Sequence, residues 1–428
     1  MKMRFFNAKI WDGEKLFDGE LRVEGDKIAR VSPVSTLEWQ DWDREIDCGG
    51  NLIMPSFKNG HTHSPMAFLR SYAEDLPLQE WLSEKVFPAE ALLTDEDCYH
   101  LTRLACAEYF AGGTTFVCEM YGHTRAVAKA LADSGVAAVV TEGILDFDGS
   151  PKFIEDKIDD SVEYYKNFPA RVRYGISIHA QYTCGEGTLG AVKRAVDKYK
   201  MPLFAHVSET AREVTSCKEQ TGKTPFEYLA GKGLFDFGGA AFHCVHVTSA
   251  EMEIMAQKGV AAVTCPSSNL KLASGIAPLA EMKKRGVKIG IGTDGAASNN
   301  ALDMFRETYL AAVLQKCSTG DAAAMGAEFV LGAATRASAY GAEGMDALAP
   351  GSSADFVLID LHAPNMQPGN DIVNDVVYAA GKHNVMMTVA GGKVVFENGK
   401  ADVGTDYDAL AERCRAIAKR IADERARA

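Results

Sequence analysis

Between residues 51 and 292 the chain alternates short apolar runs with stretches of helical periodicity, and this alternation limits the folds open to it more than any other feature. The runs fall at 51–57, 113–118, 136–140, 173–178, 202–205, 239–242, 260–264 and 287–292. They are rich in Val, Ile, Ala and Phe with little polar alternation, as expected of strands buried on both faces. Helical spacing lies between them, as in 98–111, 125–134, 189–199 and 250–258. Repeated strand-helix units build parallel sheets, and eight units argue for an α/β fold of the closed (β/α)8 TIM type. A long open sheet carries the same alternation until closure is shown.

Both ends of the chain have a different texture. Residues 2–10 and 20–32 alternate apolar and polar side chains and are broken at Asp12-Gly13 and Gly25-Asp26, the pattern of antiparallel strands with tight turns. Residues 355–360, 385–390 and 393–399 repeat it, the last two joined through Gly391-Gly392. The expectation is a small β-sandwich built from 1–50 and 346–428, flanking a barrel over 51–345. The tail from 406 is an amphipathic helix of alternating charge, which suits a solvated helix packed on the surface.

Composition narrows the partners. A net charge of −13 argues against nucleic acid or an anionic membrane surface, since both need clustered Lys and Arg. No run of apolar residues is long enough for a membrane span or an export signal, and the ten cysteines form no Cys-x-x-Cys pair. A soluble cytoplasmic protein with reduced core cysteines and a small-molecule partner is expected.

In such a barrel, chemistry gathers where the C-terminal ends of the strands meet. Five of the ten histidines fall there: His61 and His63 after the first run, His179 after the fourth, His206 after the fifth and His243 after the sixth. Asp294 follows the eighth. Side chains two apart on a strand share a face, which sets His61 beside His63. Three imidazoles and a carboxylate suit one divalent ion, zinc or iron(II), with a position left for water. The ligands expected are His61, His63, His206 and Asp294. A second ion would need a bridging group such as a modified lysine, and the fourth run carries none. Glu209, three residues after His206, stands where a carboxylate can move protons to and from water at the ion. His100, His362 and His383 lie elsewhere and are expected to be ordinary, while His123 and His246 are expected to support the site from behind it.

The motifs Asn59-Gly-His-Thr-His-Ser-Pro-Met66, Asp75-Leu-Pro-Leu-Gln-Glu-Trp-Leu82, His179-Ala-Gln-Tyr-Thr183, His206-Val-Ser-Glu-Thr210, His243-Cys-Val-His246, Pro266-Ser-Ser-Asn-Leu-Lys271 and Gly292-Thr-Asp-Gly-Ala-Ala-Ser-Asn-Asn300 span the whole barrel. Together they resemble the amidohydrolase superfamily, and within it the branch of methylthioadenosine/S-adenosylhomocysteine deaminases and their chlorohydrolase-like relatives. The resemblance implies hydrolytic deamination of an adenine nucleoside with release of ammonia, by a homo-oligomer holding zinc or iron. It implies that Glu209 carries a proton from water to the ring nitrogen, and that Asp294 is both ligand and base. It implies that His243 hydrogen-bonds the attacking oxygen, that Glu80 accepts the ribose hydroxyls and that His179 contacts the purine or sugar.

One position departs from the pattern. Several relatives carry an arginine at the end of the third strand, where this chain reads Thr141-Glu142-Gly143. An acidic residue there does not pair with a homocysteine carboxylate, which moves weight from S-adenosylhomocysteine toward methylthioadenosine, deoxyadenosine-type nucleosides and adenosine. The same residues also serve deamination or dechlorination of another heterocycle such as guanine, a pterin or a triazine. A catalytically silent binding protein on this scaffold is a further alternative, against which the intact set of His61, His63, His206, Glu209, His243 and Asp294 speaks. The cysteine-liganded deaminase plan is excluded, because its His-x-Glu and Pro-Cys-x-x-Cys motifs are absent.

Overall fold

The computed structural model describes residues 1–33, 41–146 and 149–427. Its centre is a ring of parallel strands: Phe57–Thr62, Thr114–Met120, Ala137–Thr141, Val172–Tyr174 continuing as Ile176–Ala180, Leu203–Val207, Gly239–His243, Val260–Thr264 and Lys288–Ile291. The first four segments pair in order as one sheet and the last five as another. The fourth strand belongs to both, because Gly175 separates its two halves and each half pairs with a different neighbour. The ring closes where Thr293 N and Asp294 N both donate to His61 O, at 3.1 and 2.9 Å. Closure is possible because residue 292 is glycine: a Cβ there would lie 2.6 Å from His61 N. Helices including Asp95–Ala111, Thr124–Ser134, Glu186–Tyr199 and Ser249–Lys258 cover the outside. The α/β barrel of eight strands expected from the alternation is therefore the architecture.

The two ends meet in one nine-stranded sheet that curls around its own core of Phe5, Ile10, Leu21, Val23, Ile53, Phe356, Leu358 and Val389. Leu52–Pro55 joins its halves, pairing parallel with Lys2–Trp11 and antiparallel with Phe356–Ile359. This corrects the first run. Residues 51–57 do not form the first barrel strand: 52–55 lie in the terminal sheet and the barrel begins at Phe57. The chain changes partners at Ser56, whose N–H donates to Asp355 O, while Phe57 N donates to Gly113 O in the barrel. An apolar run that passes from one buried layer into the next shows no break in hydropathy at the crossing.

The tail folds as the helix Tyr407–Arg427 and buries Leu410, Cys414, Ile417 and Ile421. All ten cysteines are free. Among the described residues no helix is long and apolar enough to cross a membrane.

Candidate active site

The strand ends on one rim of the barrel bring His61, His63 and His206 together, with one ring nitrogen of each within 4.8 Å of the others. Neighbouring backbone fixes how two of these rings point. His63 Nδ1 lies against Met120 O, and His206 Nδ1 lies 2.7 Å from His179 O. A carbonyl only accepts, so both Nδ1 atoms carry a proton and both Nε2 atoms turn inward, that of His63 toward Asp294. His61 stacks on Phe242, with ring centroids 3.9 Å apart. Its Nε2 stands 3.1 Å from His206 Nε2, and its Nδ1 is buried without a partner.

Asp294 completes the cluster. Its Oδ1 lies 3.2 Å from His63 Nε2 and 3.6 Å from His61 Nε2. Gly295 N donates to the same oxygen at 2.7 Å, and Ser268 and Ser298 hold Oδ2 at 2.6 and 2.9 Å. Burial opposes ionisation of Asp294, but the hydrogen bond and charge of His63 keep its carboxyl well below the usual range. Burial likewise opposes protonation of His63, yet Asp294 lifts it to about 9. His61 and His206 are pushed well below the ordinary imidazole value, by burial first and by their histidine neighbours second. Buried imidazole lone pairs facing a carboxylate are a donor set for a borderline divalent cation.

A cavity of about 310 Å³ opens on this cluster, and His63, His206, Glu209, His243 and Asp294 line it. Glu209 is buried, and burial raises its carboxyl above the ordinary value. Its Oε2 stands 3.9 Å from His243 Nε2, and its Oε1 accepts a long 3.4 Å contact from Ser274 Oγ. His243 Nδ1 donates to Asn269 Oδ1 at 2.8 Å, which turns the other ring nitrogen toward the cavity. A carboxyl able to hold a proton beside one kept ionised is the pairing that acid-base chemistry needs.

The remaining sequence-nominated residues sit at different depths. His179 lines the cavity and its ring approaches His206 at 4.9 Å; burial first, then His63, lowers it to about 3. Glu80 lies between lining residues Leu78 and Trp81, with one oxygen 3.9 Å from Arg212 and the other buried without a partner. His123 lines the cavity with Nδ1 on Asp95 at 2.6 Å, and His246 is tied to Ser274 O at 2.8 Å.

Sequence reasoning missed the carboxylates that hold the loops. Glu213 accepts from Ser208 N and Glu209 N, both at 2.7 Å. Glu119 takes Ser64 N at 3.0 Å beside His63, and Glu307 takes Ser267 N at 2.9 Å and Asn299 Nδ2 at 2.9 Å. Burial raises all three carboxyls to about 7. The motifs containing Ser268, Asn269 and Ser298 are visible in the sequence, but the contacts of Ser268 to Asp294 and of Asn269 to His243 cross between loops, while that of Ser298 to Asp294 is local.

Residues 52–395 match the model of the amidohydrolase family. Over 89% of this chain and 89% of the relative, the sequence is 39% identical to a 5-methylthioadenosine/S-adenosylhomocysteine deaminase of Pelotomaculum thermopropionicum. It is 37% identical to a 5′-deoxyadenosine deaminase of Methanopyrus kandleri, over 88% of this chain and 89% of that one. The fold superposes on an adenosine deaminase from Xanthomonas campestris solved with bound zinc, with a TM-score of 0.92 and 31% identity over 98% of both chains. Since the matched span contains every barrel strand and every rim residue described above, the chain belongs to the amidohydrolase family.

Proposed function

We propose that this chain is a metal-dependent deaminase that removes the exocyclic amino group of an adenine nucleoside by hydrolysis and releases ammonia. The observation that carries the reading is the meeting of three histidines and Asp294 beside a buried Glu209 at the floor of one cavity. Relatives named for 5-methylthioadenosine, S-adenosylhomocysteine and 5′-deoxyadenosine support the substrate class.

His61, His63 and His206 through their Nε2 atoms, with Asp294 through a carboxylate oxygen, would hold the ion. The 3.1 Å approach of the Nε2 atoms of His61 and His206 fits such a use. A divalent ion held there, zinc in first place and iron(II) on the same donor set, lowers the pKa of water toward neutrality. Glu209 takes a proton from the attacking water and passes it to the ring nitrogen beside the amino-bearing carbon. His243, its Nδ1 proton fixed on Asn269, accepts a hydrogen bond from that water at Nε2 and so aims its oxygen at the carbon. Asp294, kept ionised, takes the second proton and hands it to the departing nitrogen. The carbon-nitrogen bond breaks, ammonia leaves, and the ring carries a carbonyl as in an inosine-type product. Glu80, adjacent in sequence to the lining residue Trp81, would accept the ribose hydroxyls, and His179 on the cavity wall would contact the purine or sugar.

The test is ammonia release by purified, metal-analysed protein offered adenosine, 5′-deoxyadenosine, methylthioadenosine, S-adenosylhomocysteine, guanine and a triazine. Turnover of adenine nucleosides is expected. Turnover confined to guanine or the triazine would move the reading to another heterocycle, and binding without turnover would make this a silent scaffold.

A further inference from the structure

The amphipathic tail helix has no part in the chemistry above, yet two of its arginines grip the wall of the cavity from outside. One stretch, residues 78–91, gives that wall Leu78, Trp81, Leu82, Phe87, Glu90 and Ala91. It also carries Glu80, and it holds none of the residues that gather at the ion or move protons. A proline decides how the stretch is wound. Pro88 has no N–H, so it cannot make the α-helical bond back to Glu84 O, and in an α-helix its ring would crowd that carbonyl. The turn before it is widened: Trp81–Val86 is a π-helix in which Phe87 N donates to Leu82 O, and the α-helical turn Phe87–Glu90 follows. Such turns are rare and gather at functional sites.

A donor for Glu84 O comes from the far end of the sequence. Arg425 Nη2, on the helix Tyr407–Arg427, donates to it at 3.1 Å. Five residues earlier on that helix, Arg420 Nη1 donates to Leu92 O at 3.2 Å and Nη2 reaches Asp97 Oδ2 at 2.5 Å. Asp97 forms the capping box of Asp95–Ala111 with Thr94. The two guanidinium groups therefore hold the wall stretch in its middle and at its exit. They act from a fixed base, because Leu410, Cys414, Ile417 and Ile421 are buried.

We propose that Arg420 and Arg425 are positioning residues for nucleoside binding, which from the tail helix keep residues 78–91 in the shape that receives base and sugar without touching either. The ligand named here rests on the deaminase reading. Since the stretch carries no group of the ion cluster or the proton path, loss of the two arginines should be felt in KM and not in kcat. The test compares the metal-loaded native chain with the double variant Arg420→Met/Arg425→Met. KM for 5′-deoxyadenosine should rise by about tenfold, with kcat changed by less than about twofold and zinc content unchanged. Amide hydrogen exchange over 78–91 should quicken while the barrel strands keep their protection. Arg425→Lys retains a cationic donor for Glu84 O and should hold KM nearer the native value than Arg425→Met does. An unchanged KM in the double variant would overturn the proposal. So would a loss shared by kcat, zinc content and barrel protection, the mark of a helix that only stabilises the fold. If the native protein released no ammonia from any adenine nucleoside, the deaminase reading would fall, and exchange over 78–91 would still decide: unaltered rates in the double variant would overturn the grip on the wall, and quickened rates would uphold it.

Discussion

His61 and His206 belong to the first and fifth strands of an eight-strand ring, yet their Nε2 atoms stand 3.1 Å apart. Strands from opposite sides of a barrel bring side chains that close only at the rim, where the residues converge on the axis. The Nδ1 proton of His206 is committed to His179 O, so its inward nitrogen is an acceptor, and His61 can meet it only by carrying its own proton on Nε2 and leaving its buried Nδ1 unpartnered. The cation proposed above would give both inward lone pairs and the approach itself a use.

Loading with zinc should therefore stabilise the fold. An ion that binds only the folded chain adds about 2.7 kcal/mol when present at a hundredfold excess over its Kd. The thermal midpoint should fall on chelation, return with added zinc, and lose its response to zinc in His206→Ala. A chelator-treated protein that melts at the untreated temperature while shown to be metal-free would contradict the ligand assignment.

Glu209→Gln should separate metal binding from turnover. Glu209 lies outside the histidine cluster, and burial already raises its carboxyl, so an amide fits the site without an ionic penalty. Ammonia release should drop by about 10²–10⁴, the usual worth of a positioned acid-base group, with metal content unchanged. Retained activity in this variant would remove Glu209 from the proton path.

Glu213 should govern the rate through Glu209 rather than by touching substrate. Its carboxylate pins the N–H groups of Ser208 and Glu209, and Ser208 sits at φ 52°, a left-handed conformation that a serine holds only when it is fixed from outside. Glu213→Ala leaves two buried donors unpaired, at about 1–3 kcal/mol each, and should lower kcat more than it raises KM. Glu213→Gln still offers one acceptor and should recover part of kcat. Equal effects of Ala and Gln on kcat, or a change confined to KM, would deny the positioning role.

The same loop shows where sequence reasoning reached its limit. Thr210-Ala-Arg-Glu213 reads as a helix-capping box, and its neighbours Thr94 to Asp97, Thr224 to Glu227 and Thr248 to Glu251 are such boxes. Thr210 does cap its helix, but Glu213 reaches past the cap to the preceding loop. Nothing in the spacing marks that difference, since it depends on how the fifth strand enters its helix. Although the first barrel strand, Phe57–Thr62, is buried but polar, the barrel itself was legible because most of its strands are buried on both faces and so largely apolar. For the same reason the crossing at Ser56 was not. The strand-end rule located the histidines, whereas Ser268 and Asn269 reach Asp294 and His243 only after separate loops have converged. Lys157, on an outer helix, gave no hint in sequence that it would line the cavity against Glu142.

The pair Asp355 and Arg171 ties the terminal sheet to the barrel and should set the acid limit of the fold. Arg171 precedes the fourth barrel strand, and its guanidinium grips both oxygens of Asp355, at 2.7 and 3.0 Å. Asp355 is buried, which opposes ionisation, but the charge and hydrogen bonds of Arg171 outweigh burial and hold its carboxyl far below the ordinary value of 3.8. A carboxyl depressed on folding contributes stability that is fully present above its unfolded pKa and is lost as the pH falls through that value toward the folded one. Arg171→Met leaves the carboxylate buried without its guanidinium, held only by Ser353 Oγ, Gly391 N and the charge of Lys58, which should cost up to about 3–5 kcal/mol at neutral pH. The burden shrinks once Asp355 can take a proton, so the stability gap between native and variant should be widest near pH 7 and narrow as the medium is made acid. Urea unfolding of both proteins from pH 7 to pH 3.5 measures the gap directly. A gap that stayed constant over this range would mean that Arg171 stabilises the junction by packing and not by its charge.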